Sequence, residues 1–417
     1  MGITLRAMET TLAAKPADPA LMIEARARAA PLVKRLLDQR TRILRSTLVF
    51  GNYCHGLVEL GVPLGRATIH MRQLHPQLQA RSMLWLAESG GAFETGREHG
   101  VETSRTYLDS PIRRVYEGEG PIRRRLEDPA SPLDFPILHD LKAEGWSDYY
   151  MTALPFSVST ANAIGFSTGR PGGFSDLDIA TVEASLPAFG AVMEMAHLRR
   201  TARTLLQTYL GAEPGERVLA GAIKRGDGEV IDAVLWYCDL RDFTPLSESL
   251  PLGEVIALLN DYFETMARPV KARGGQILKF IGDAMLAVFP LGGHNAAGAC
   301  TACIAALETA EQALAGLAEL NRPRLAAGKP ALRAGVALAR GEVMYGNIGD
   351  PERLDFTVIG PAVNLATRLE DLTRDLKLDP PIVYTARVAE DSQRPSRSLG
   401  RFPLKGIGEP QEAFTLA

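Results

Sequence analysis

The stretch GGQILKFIGDAMLAVF, residues 274–289, narrows the possible folds of this chain more than any other. It reads as two short apolar strands joined by a Gly282-Asp283 turn, a pattern that predicts a β-hairpin. Two charged residues, Lys279 and Asp283, interrupt the apolar run. Because an unpaired buried charge is costly in free energy, both residues call for a functional explanation.

The segments around the hairpin predict a ferredoxin-like domain at residues 228–417. Residues 233–238 form a continuous apolar strand that ends at Asp239. The remaining elements are predicted, in chain order, as a helix at 252–266, the hairpin, a helix at 300–314, strands within 331–349 and 354–360, and a helix at 363–372. The order strand, helix, strand, strand, helix, strand is the βαββαβ pattern of a ferredoxin-like α+β fold.

The front of the chain predicts a different domain. Residues 1–49 are expected to be helical, and residues 196–227 to form a helical coupler and a Gly-rich, charged linker. Residues 50–195 consist of short apolar runs broken by Gly, Pro and Asp, which predict an antiparallel α+β domain. Strands are expected at 82–88, 149–158 and 161–168, and the apolar face of the first helix at Leu21, Ala25, Ala29, Leu32 and Leu36.

A long helix with Ser175 as its N-cap is predicted to close this domain. Its apolar residues recur every four and three positions, as in the seam of a coiled coil, and Pro187 is expected to kink it. Two interpretations stay open, a parallel coiled-coil dimer or a helix packed on its own domain. The seam consists of Val182, Leu186, Phe189, Met193 and Ala196, and continues on another face at Leu198, Ala202, Leu205 and Tyr209.

Composition argues against several classes of protein. The 46 basic and 49 acidic residues leave a net charge of −3, which gives no electrostatic reason to expect nucleic acid or an anionic membrane as a partner. No apolar run predicts a membrane span, and the start MGITLRAMETTLAAK lacks the apolar middle of a secretion signal. Four cysteines in 417 residues do not predict a disulfide framework. We therefore expect a reduced, cytoplasmic protein.

Asp239 and Asp283 are the first candidates for chemistry. In a ferredoxin-like topology the end of the first strand and the hairpin turn are neighbours, so these carboxylates are expected to meet. They would repel each other unless a cation lies between them, and two Mg²⁺ ions suit such a pair in a phosphoryl or nucleotidyl transfer. Backbone amides at Phe243 and Thr244 would hold phosphates. The alternative is a pair of turn or capping aspartates on separate surfaces.

Five separated strings in residues 229–417 resemble motifs of the class III nucleotidyl cyclases, in the order and approximate spacing of that family. They are YCDLRDFTPLSE, ILKFIGDAMLAVF, GEVMYGNIG, DFTVIGPAVNLATRLED and FPLKGIGEP. The resemblance implies that Asp239 and Asp283 bind two Mg²⁺ or Mn²⁺ ions per active site. It also implies that Lys279 and Thr357 recognise the purine.

The resemblance extends to three further residues. Asn364 and Arg368, four positions apart on one helical face, would orient the ribose and stabilise charge on the α-phosphate during attack by the 3′-hydroxyl. Lys405 would bind the terminal phosphates. Two positions depart from the family. Asp242 stands where Gly is usual, either crowding the phosphate loop or capping a helix, and Pro361 stands where a polar residue is common.

In this family the active sites lie across a dimer interface, with the metal ligands from one chain and the base-recognising residues from the other. Lys279 and Asp283 would then serve different sites and need not pair with each other. Because the chain carries the whole set of residues, the resemblance predicts a homodimer with two shared, equivalent sites.

The later part of residues 50–195 resembles a GAF-type sensor domain in the strings GWSDYYMTALPFS and NAIGFSTGRPGGFSDLDIATVEASL. The resemblance implies an unknown small molecule or signal as the input. Two weaker patterns have simpler explanations. The CxxC of Cys300 and Cys303 lies on an apolar helical stripe, which favours core packing. His70 and His75 leave a haem or metal site as the less favoured alternative.

These features predict an adenylate cyclase that converts ATP to 3′,5′-cyclic AMP and pyrophosphate under control of the front domain. Lys279 argues against the alternative of a guanylate cyclase, because adenine presents an acceptor at N1 whereas guanine presents donors. A catalytically silent module for nucleotide binding or dimerisation is the alternative from a different functional class.

Overall fold

In the computed structural model, which describes residues 18–39, 45–157 and 162–417, the strands form two separate sheets. The chain divides between them into two compact units, residues 1–205 and 206–417. Each unit has its own core of buried apolar side chains.

The first unit is an antiparallel α+β structure, as predicted. Its sheet has the strand order β3-β2-β1-β6-β5-β4, and every neighbouring pair is antiparallel. The elements are α1 (Pro19–Gln39), α2 (Ser46–Glu59), β1 (Arg66–Arg72), β2 (Leu78–Leu86), β3 (Ala92–Glu98), a 3₁₀ turn (Val101–Thr103), α3 (Arg105–Leu108), α4 (Pro111–Tyr116), β4 (Ile122–Arg125), α5 (Pro136–Ala143), β5 (Asp148–Ala153), β6 (Asn162–Thr168) and α6 (Asp176–Leu210).

Strands β2, β5 and β6 lie where the sequence predicts strands, although residues 158 and 161 of those ranges are outside the described part. The predicted boundary at residue 50 falls inside α2. The buried face of α2, which includes Phe50, Tyr53 and Leu57, packs into the core of the first unit. The start MGITLRAMETTLAAK also lies outside the described residues.

Ser175 caps α6 as predicted. Its Oγ accepts a hydrogen bond from the backbone amide of Asp178 at 3.1 Å, and Asp178 Oδ2 accepts one from the amide of Ser175 at 2.9 Å. These reciprocal bonds satisfy amides that the first turn of a helix leaves without acceptors. The helix then continues through Pro187 without a break in its assignment.

The first part of the predicted seam packs on its own unit. Val182, Leu186, Phe189 and Met193 are buried in the core formed with α2 and the sheet, which confirms the packing interpretation for this stretch. Further along, Leu198 and Tyr209 are 52% and 81% exposed. The second face therefore stays a predicted dimer seam.

By length and composition α6 could span a membrane, contrary to the expectation that no segment could. Within the described residues it is the single helix that meets this criterion, and 56% of its apolar window is buried inside the protein. A core helix of a soluble protein meets the same criterion, so the feature is weak evidence for a membrane span.

The second unit contains the predicted ferredoxin-like arrangement. The sheet order is β13-β14-β12-β10-β7-β9-β8, with β11 paired to β10. The elements are α7 (Ala212–Leu219), β7 (Gly228–Leu240), α8 (Phe243–Ser249), α9 (Leu252–Ala272), β8 (Gln276–Ile281), β9 (Ala284–Pro290), α10 (Thr301–Ala326), β10 (Ala334–Asp350), β11 (Arg353–Ile359), α11 (Pro361–Asp375), β12 (Ile382–Thr385), α12 (Ala386–Ser392), β13 (Ser396–Phe402) and β14 (Gln411–Leu416).

The strand order β10-β7-β9-β8, with α9 and α10 as the crossovers and each neighbouring pair antiparallel, confirms the βαββαβ prediction. The core on the side of α9 and α10 includes the fully buried Trp236, Tyr262 and Met266. This packing follows from the sequence, because residues 233–238 of β7 are continuously apolar and α9 carries an apolar face.

The segment expected to be a coupler and linker, 196–227, is more ordered than predicted. The helix α7 lies within it, and the Arg217 guanidinium stacks over the Tyr345 ring at 5.0 Å. The buried amide of Asn347 donates to the carbonyls of Ala222 and Lys224 at 2.9 and 3.3 Å. These contacts attach residues after 205 to the second unit, which explains why the boundary lies earlier than the predicted start at 228.

Candidate active site

Asp239 and Asp283 come together at one edge of the sheet. Asp239 is the penultimate residue of β7 and pairs in register with Ala284, the first residue of β9, so it lies beside the preceding Asp283. Gly282 forms the turn with φ 64°, a left-handed conformation that glycine adopts without strain. The prediction that the two carboxylates meet agrees with this register.

The electrostatics of the pair follow from partial burial and like charge. Burial, followed by the charges of Asp283 and Glu370, raises the pKa of Asp239 to about 7. Burial also raises the pKa of Asp283, while the cation of Arg374 opposes both shifts. The site therefore holds more negative charge than its own cations balance.

The donor set fits a hard divalent cation. No cluster of three or more His, Cys, Asp or Glu side chains placed to bind a metal exists in the described part of the chain. The protein thus offers two carboxylates, and water and phosphate oxygens would complete the coordination. Mg²⁺ prefers this division of ligands, because it keeps several waters and takes one or two carboxylates with substrate phosphates.

The loop after β7 offers backbone donors to an anion. The first amides of a helix have no acceptor within the helix, and at the start of α8 the third residue, Pro245, has no N–H. Phe243 and Thr244 therefore present the two free amides of this turn. The Phe243 side chain packs against the core of the second unit, so its contribution to a site would come from the backbone.

Asp242 takes the N-cap position of α8 but makes no capping hydrogen bond from its side chain. Its backbone is left-handed, with φ 58° and ψ 29°, which accounts for the usual preference for Gly at this position. The side chain instead forms an ion pair with Arg333 at 2.5 Å. The sequence left two interpretations of Asp242 open. The helix-capping interpretation lacks the side-chain hydrogen bond that it requires.

Lys279 and Thr357 lie on two further strands, β8 and β11. Lys279 does not pair with Asp283. Its Nζ donates to Oδ2 of Asp355 at 2.5 Å, and both side chains face a cavity of about 680 Å³. Asp355 and Thr357 are two positions apart on β11, so their side chains point to the same side of the strand. The buried Phe356 and Val358 point to the opposite side.

Asn364 and Arg368 lie on one exposed face of α11. No hydrogen bond or ion pair of either side chain is present within the described ranges. Pro361 occupies the first turn of this helix, where its fixed φ is favourable and its missing N–H costs nothing. The departure at Pro361 thus has a structural explanation.

Lys405 lies in the exposed turn between β13 and β14, with its ammonium free of ion pairs to other described residues. The residues predicted for the site thus form separate groups on one chain: the aspartates, the side chains of Lys279 and Thr357, the exposed pair on α11, and Lys405. Only the aspartates are placed together by a strand register.

Sequence analysis did not select Glu370, Arg374 or Asp355. Glu370 is 1% exposed, and burial raises its pKa beside the aspartates. Its position was a signal, because it lies on the same face of α11 as the buried Ala366 and Thr373. The position of Asp355 was also a signal, because it lies two residues before Thr357 and therefore on the same side of the strand.

The cysteine and histidine patterns have structural roles. Cys300 and Cys303 are buried in the core, and Cys300 Sγ accepts a hydrogen bond from the Cys303 amide at 3.3 Å, which confirms core packing. His70 Nδ1 is hydrogen-bonded to Ser82 Oγ at 2.8 Å, and His75 Nδ1 accepts from two backbone amides. Each histidine ring therefore has local partners.

Comparison with known proteins identifies the same region. Residues 229–416 match the family described as adenylate and guanylate cyclase catalytic domain. An adenylate cyclase of Anabaena cylindrica is 38% identical over 142 residues, which cover 33% of this chain and 26% of that protein. Eight curated relatives are matched over 20–39% of their own length.

Two solved structures are also similar. A bacterial light-regulated adenylyl cyclase is 28% identical, with a TM-score of 0.44 and coverage of 54% of this chain and 63% of that one. The guanylyl cyclase Cya2 is 28% identical, with a TM-score of 0.39 and coverage of 45% and 92%.

Proposed function

We propose that this chain, whose residues 229–416 form an adenylate/guanylate cyclase catalytic domain, converts ATP to 3′,5′-cyclic AMP and pyrophosphate. The observation that carries the proposal is the pairing of Asp239 with Ala284, which brings the carboxylates of Asp239 and Asp283 to one sheet edge. Their raised pKa values mean that a cation would relieve an existing excess of negative charge.

Asp239 and Asp283 would hold two Mg²⁺ or Mn²⁺ ions, which when bound would activate the 3′-hydroxyl and neutralise charge on the phosphates. The amides of Phe243 and Thr244 donate to phosphate oxygens at the start of α8. These groups keep the triphosphate in line for attack, and such positioning removes part of the entropic barrier.

In the reaction, the 3′-oxygen forms a bond to the α-phosphorus and its hydroxyl proton passes to water, while the bond between the α-phosphorus and the bridging oxygen breaks and pyrophosphate leaves. Arg368 and Lys405 stabilise the negative charge that develops on the phosphates, and Asn364 orients the ribose. Because Asn364 and Arg368 are exposed on α11, a second copy of the chain has access to them. This exposure supports a homodimer with shared sites.

Selection of ATP over GTP depends on hydrogen bonds to the edge of the purine base. Lys279 donates to the acceptor at adenine N1, and the Thr357 hydroxyl accepts from the exocyclic amine. The cavity of about 680 Å³ beside Lys279 has room for a purine.

The first unit is proposed as a GAF-like sensor that controls the cyclase. Its antiparallel sheet and flanking helices support this assignment. A cavity of about 240 Å³ on the sheet, lined by side chains that include Arg72, Arg97, Tyr107 and Tyr116, could receive a small molecule.

The test is turnover of ATP and GTP by the purified full chain with Mg²⁺ or Mn²⁺, with the products separated by chromatography. The proposal expects cyclic AMP as the main product. Predominant cyclic GMP would establish the guanylate alternative. No cyclic product from either nucleotide would establish the silent module.

A further inference from the structure

The cavity of about 240 Å³ in the first unit lies between the sheet and a group of short helices. Strands β1, β2 and β3 supply its floor, and the 3₁₀ turn, α3 and α4 supply the opposite wall. All of these elements belong to residues 1–205, so the cavity lies within one compact unit. The proposed sensor role leaves the chemistry of its ligand open.

Two arginines lie side by side on the floor of the cavity. Arg72 of β1 pairs in register with Ala80 of β2, and Ala80 pairs with Arg97 of β3. Residues paired across a sheet point to the same face, so both guanidinium groups line the cavity on either side of the small Ala80 side chain. Two strand spacings separate their backbones by about 10 Å, which two long arginine side chains can span around one anion.

The positive charge on this floor is not balanced by carboxylates. In the described ranges, neither Arg72 nor Arg97 forms an ion pair with an acidic side chain. Glu102, an acidic residue of the lining, accepts a hydrogen bond from a nearby backbone amide at 3.1 Å. Burial and the charges of Arg66 and Arg97 lower the pKa of His70 to about 4, so its ring is neutral at physiological pH. An anion would therefore balance the charge of the two arginines.

The opposite wall is aromatic and is attached to the floor. The rings of Tyr107 in α3 and Tyr116 in α4 have their centroids 6.4 Å apart. The Tyr116 hydroxyl donates to the carbonyl of His70 at 3.1 Å, which ties α4 to β1. The Arg72 guanidinium stacks over the Tyr116 ring at 5.3 Å. This stacking orients the cation and leaves its N–H groups available to an anion.

The volume limits the size of the ligand. Pockets for drug-sized ligands measure about 300–1,000 Å³, so a cavity of about 240 Å³ fits one aromatic ring with an acidic group better than it fits a nucleotide. The planar guanidinium group binds a carboxylate through two parallel hydrogen bonds, and an aromatic ring packs favourably on tyrosine.

We propose that this cavity is the ligand site of the first unit and that it takes a small aromatic acid, with the carboxylate bound between Arg72 and Arg97 and the ring packed on the two tyrosines. The inference deepens the proposed function, on which it rests for the regulatory meaning of the site. Binding itself needs no cyclase activity.

Strand β3 connects the cavity to α6. Arg97 and Glu94 are three positions apart on β3, so they point to opposite faces of the strand. Glu94 forms an ion pair with Arg200 of α6 at 2.8 Å. A ligand held by Arg97 therefore acts on a strand whose other face is bonded to the helix that closes this unit.

Calorimetry of the purified full chain without nucleotide tests the binding. The probes are benzoate and phenylacetate, the neutral benzamide, and cyclic AMP. We expect at least one of the acids to bind at least about tenfold more tightly than benzamide, because benzamide has nearly the shape of benzoate without its charge. Equal affinities for the acids and benzamide, or no binding of either acid, would overturn the proposal. So would tighter binding of cyclic AMP than of both acids.

Variants locate the site. Arg72→Gln and Arg97→Gln should each weaken binding of the acid about tenfold or more and leave benzamide binding unchanged, because each variant removes a charged donor. Arg105→Gln removes the same charge from α3 outside the lining, so its affinity should stay within about twofold of the wild type. Both cavity arginines are exposed, and thermal unfolding checks that the variants fold. Wild-type affinity in both cavity variants would place the ligand elsewhere and overturn the proposal.

Turnover keeps this inference distinct from the proposed function. The acid that binds is added to the full chain and to Arg97→Gln during incubation with ATP. A change in cyclic AMP formation in the wild type but not in the variant would support the site as the input of the sensor. Binding without any change would support the ligand site and overturn the sensor role. If the chain formed no cyclic nucleotide, the proposed cyclase would fail, but calorimetry would still decide the ligand site.

Discussion

Asp239 lies directly beside Asp283 because the register of β7 and β9 pairs Asp239 with the residue that follows Asp283. Burial and the neighbouring negative charges raise the pKa of Asp239 to about 7. The fold places two partly buried carboxylates beside each other, which lowers the stability of the protein. A cation that binds there would restore it, which links the proposed activity to measurable properties of the protein without substrate.

Asp283→Asn should abolish formation of cyclic nucleotide, with a loss of at least about a thousandfold in kcat, because the amide cannot replace a carboxylate as a ligand for Mg²⁺. The product is measured by chromatography after incubation with ATP. Asp375→Asn, on the exposed end of α11, removes one charge outside the site and serves as the matched control. Retention of more than a tenth of the activity in Asp283→Asn would contradict the assignment.

Stability without metal should depend on pH through Asp239. A carboxyl whose pKa is raised by folding is stabilised in its protonated form, so the free energy of unfolding falls as the pH rises from the ordinary value of 3.8 toward about 7. In thermal unfolding, the melting temperature of Asp239→Asn should rise relative to that of the wild type as the pH increases from about 5 to about 8.

Adding Mg²⁺ should reverse this difference in melting temperature between the wild type and Asp239→Asn. Since the ion competes with protons for the carboxylates, the rise in wild-type melting temperature on adding Mg²⁺ should be larger at about pH 8 than at about pH 6. Asp239→Asn should show a much smaller rise at either pH. A wild type whose melting temperature ignored Mg²⁺ at both values would argue against a metal site.

Lys279→Glu should weaken the preference for ATP. A carboxylate cannot donate to adenine N1, whereas it can accept from the donors of guanine, so the ATP-to-GTP ratio of kcat/KM should fall by about tenfold or more. Competition between the two nucleotides in one reaction measures this ratio directly. Lys329→Glu, which reverses a charge in the exposed segment after α10 and away from this cavity, is a suitable control. An unchanged ratio would remove Lys279 from base recognition.

A fragment of residues 206–417 should be more stable than one of residues 228–417. The shorter fragment lacks the carbonyls of Ala222 and Lys224, which leaves the buried Asn347 amide without these acceptors, at a cost of about 1–3 kcal/mol. It also loses the stacking of Arg217 on Tyr345. Urea unfolding of both fragments provides the measurement. Equal unfolding midpoints would mean that α7 is dispensable.

Asp242→Gly should stabilise the protein by about 1 kcal/mol, because glycine adopts the left-handed backbone at this position without strain. Asp242→Ala keeps a Cβ and loses the ion pair with Arg333, so it should not stabilise. Thermal unfolding distinguishes the two variants. If both raised the melting temperature equally, the effect would come from charge and not from the backbone.

Comparing the turnover of the full chain with that of residues 206–417 would test whether the first unit regulates the cyclase. Either a large rise or a large fall in cyclic nucleotide formation on removing residues 1–205 would support the proposed sensor. The same activity in both proteins would argue against it.

The amino-acid sequence by itself determined the ferredoxin-like order of the second unit and the meeting of Asp239 with Asp283. Both follow from local pattern, because apolar strands of period two, amphipathic helices and a Gly-Asp turn admit few topologies. The same kind of pattern located the antiparallel strands of the first unit and the cap at Ser175. It could not choose between a coiled coil and a core helix for α6, because the spacing of apolar residues is the same in both.

Only the tertiary structure decided which residues from distant parts of the chain touch. The partner of Lys279 is 76 residues away, and the contact depends on how β11 folds back over the sheet toward β8. The burial of Glu370 beside the aspartates and the attachment of residues 206–227 through Asn347 are of the same kind. Such contacts depend on three-dimensional packing between segments, and periodicity along the chain carries no information about the distance between two elements that are not neighbours in it.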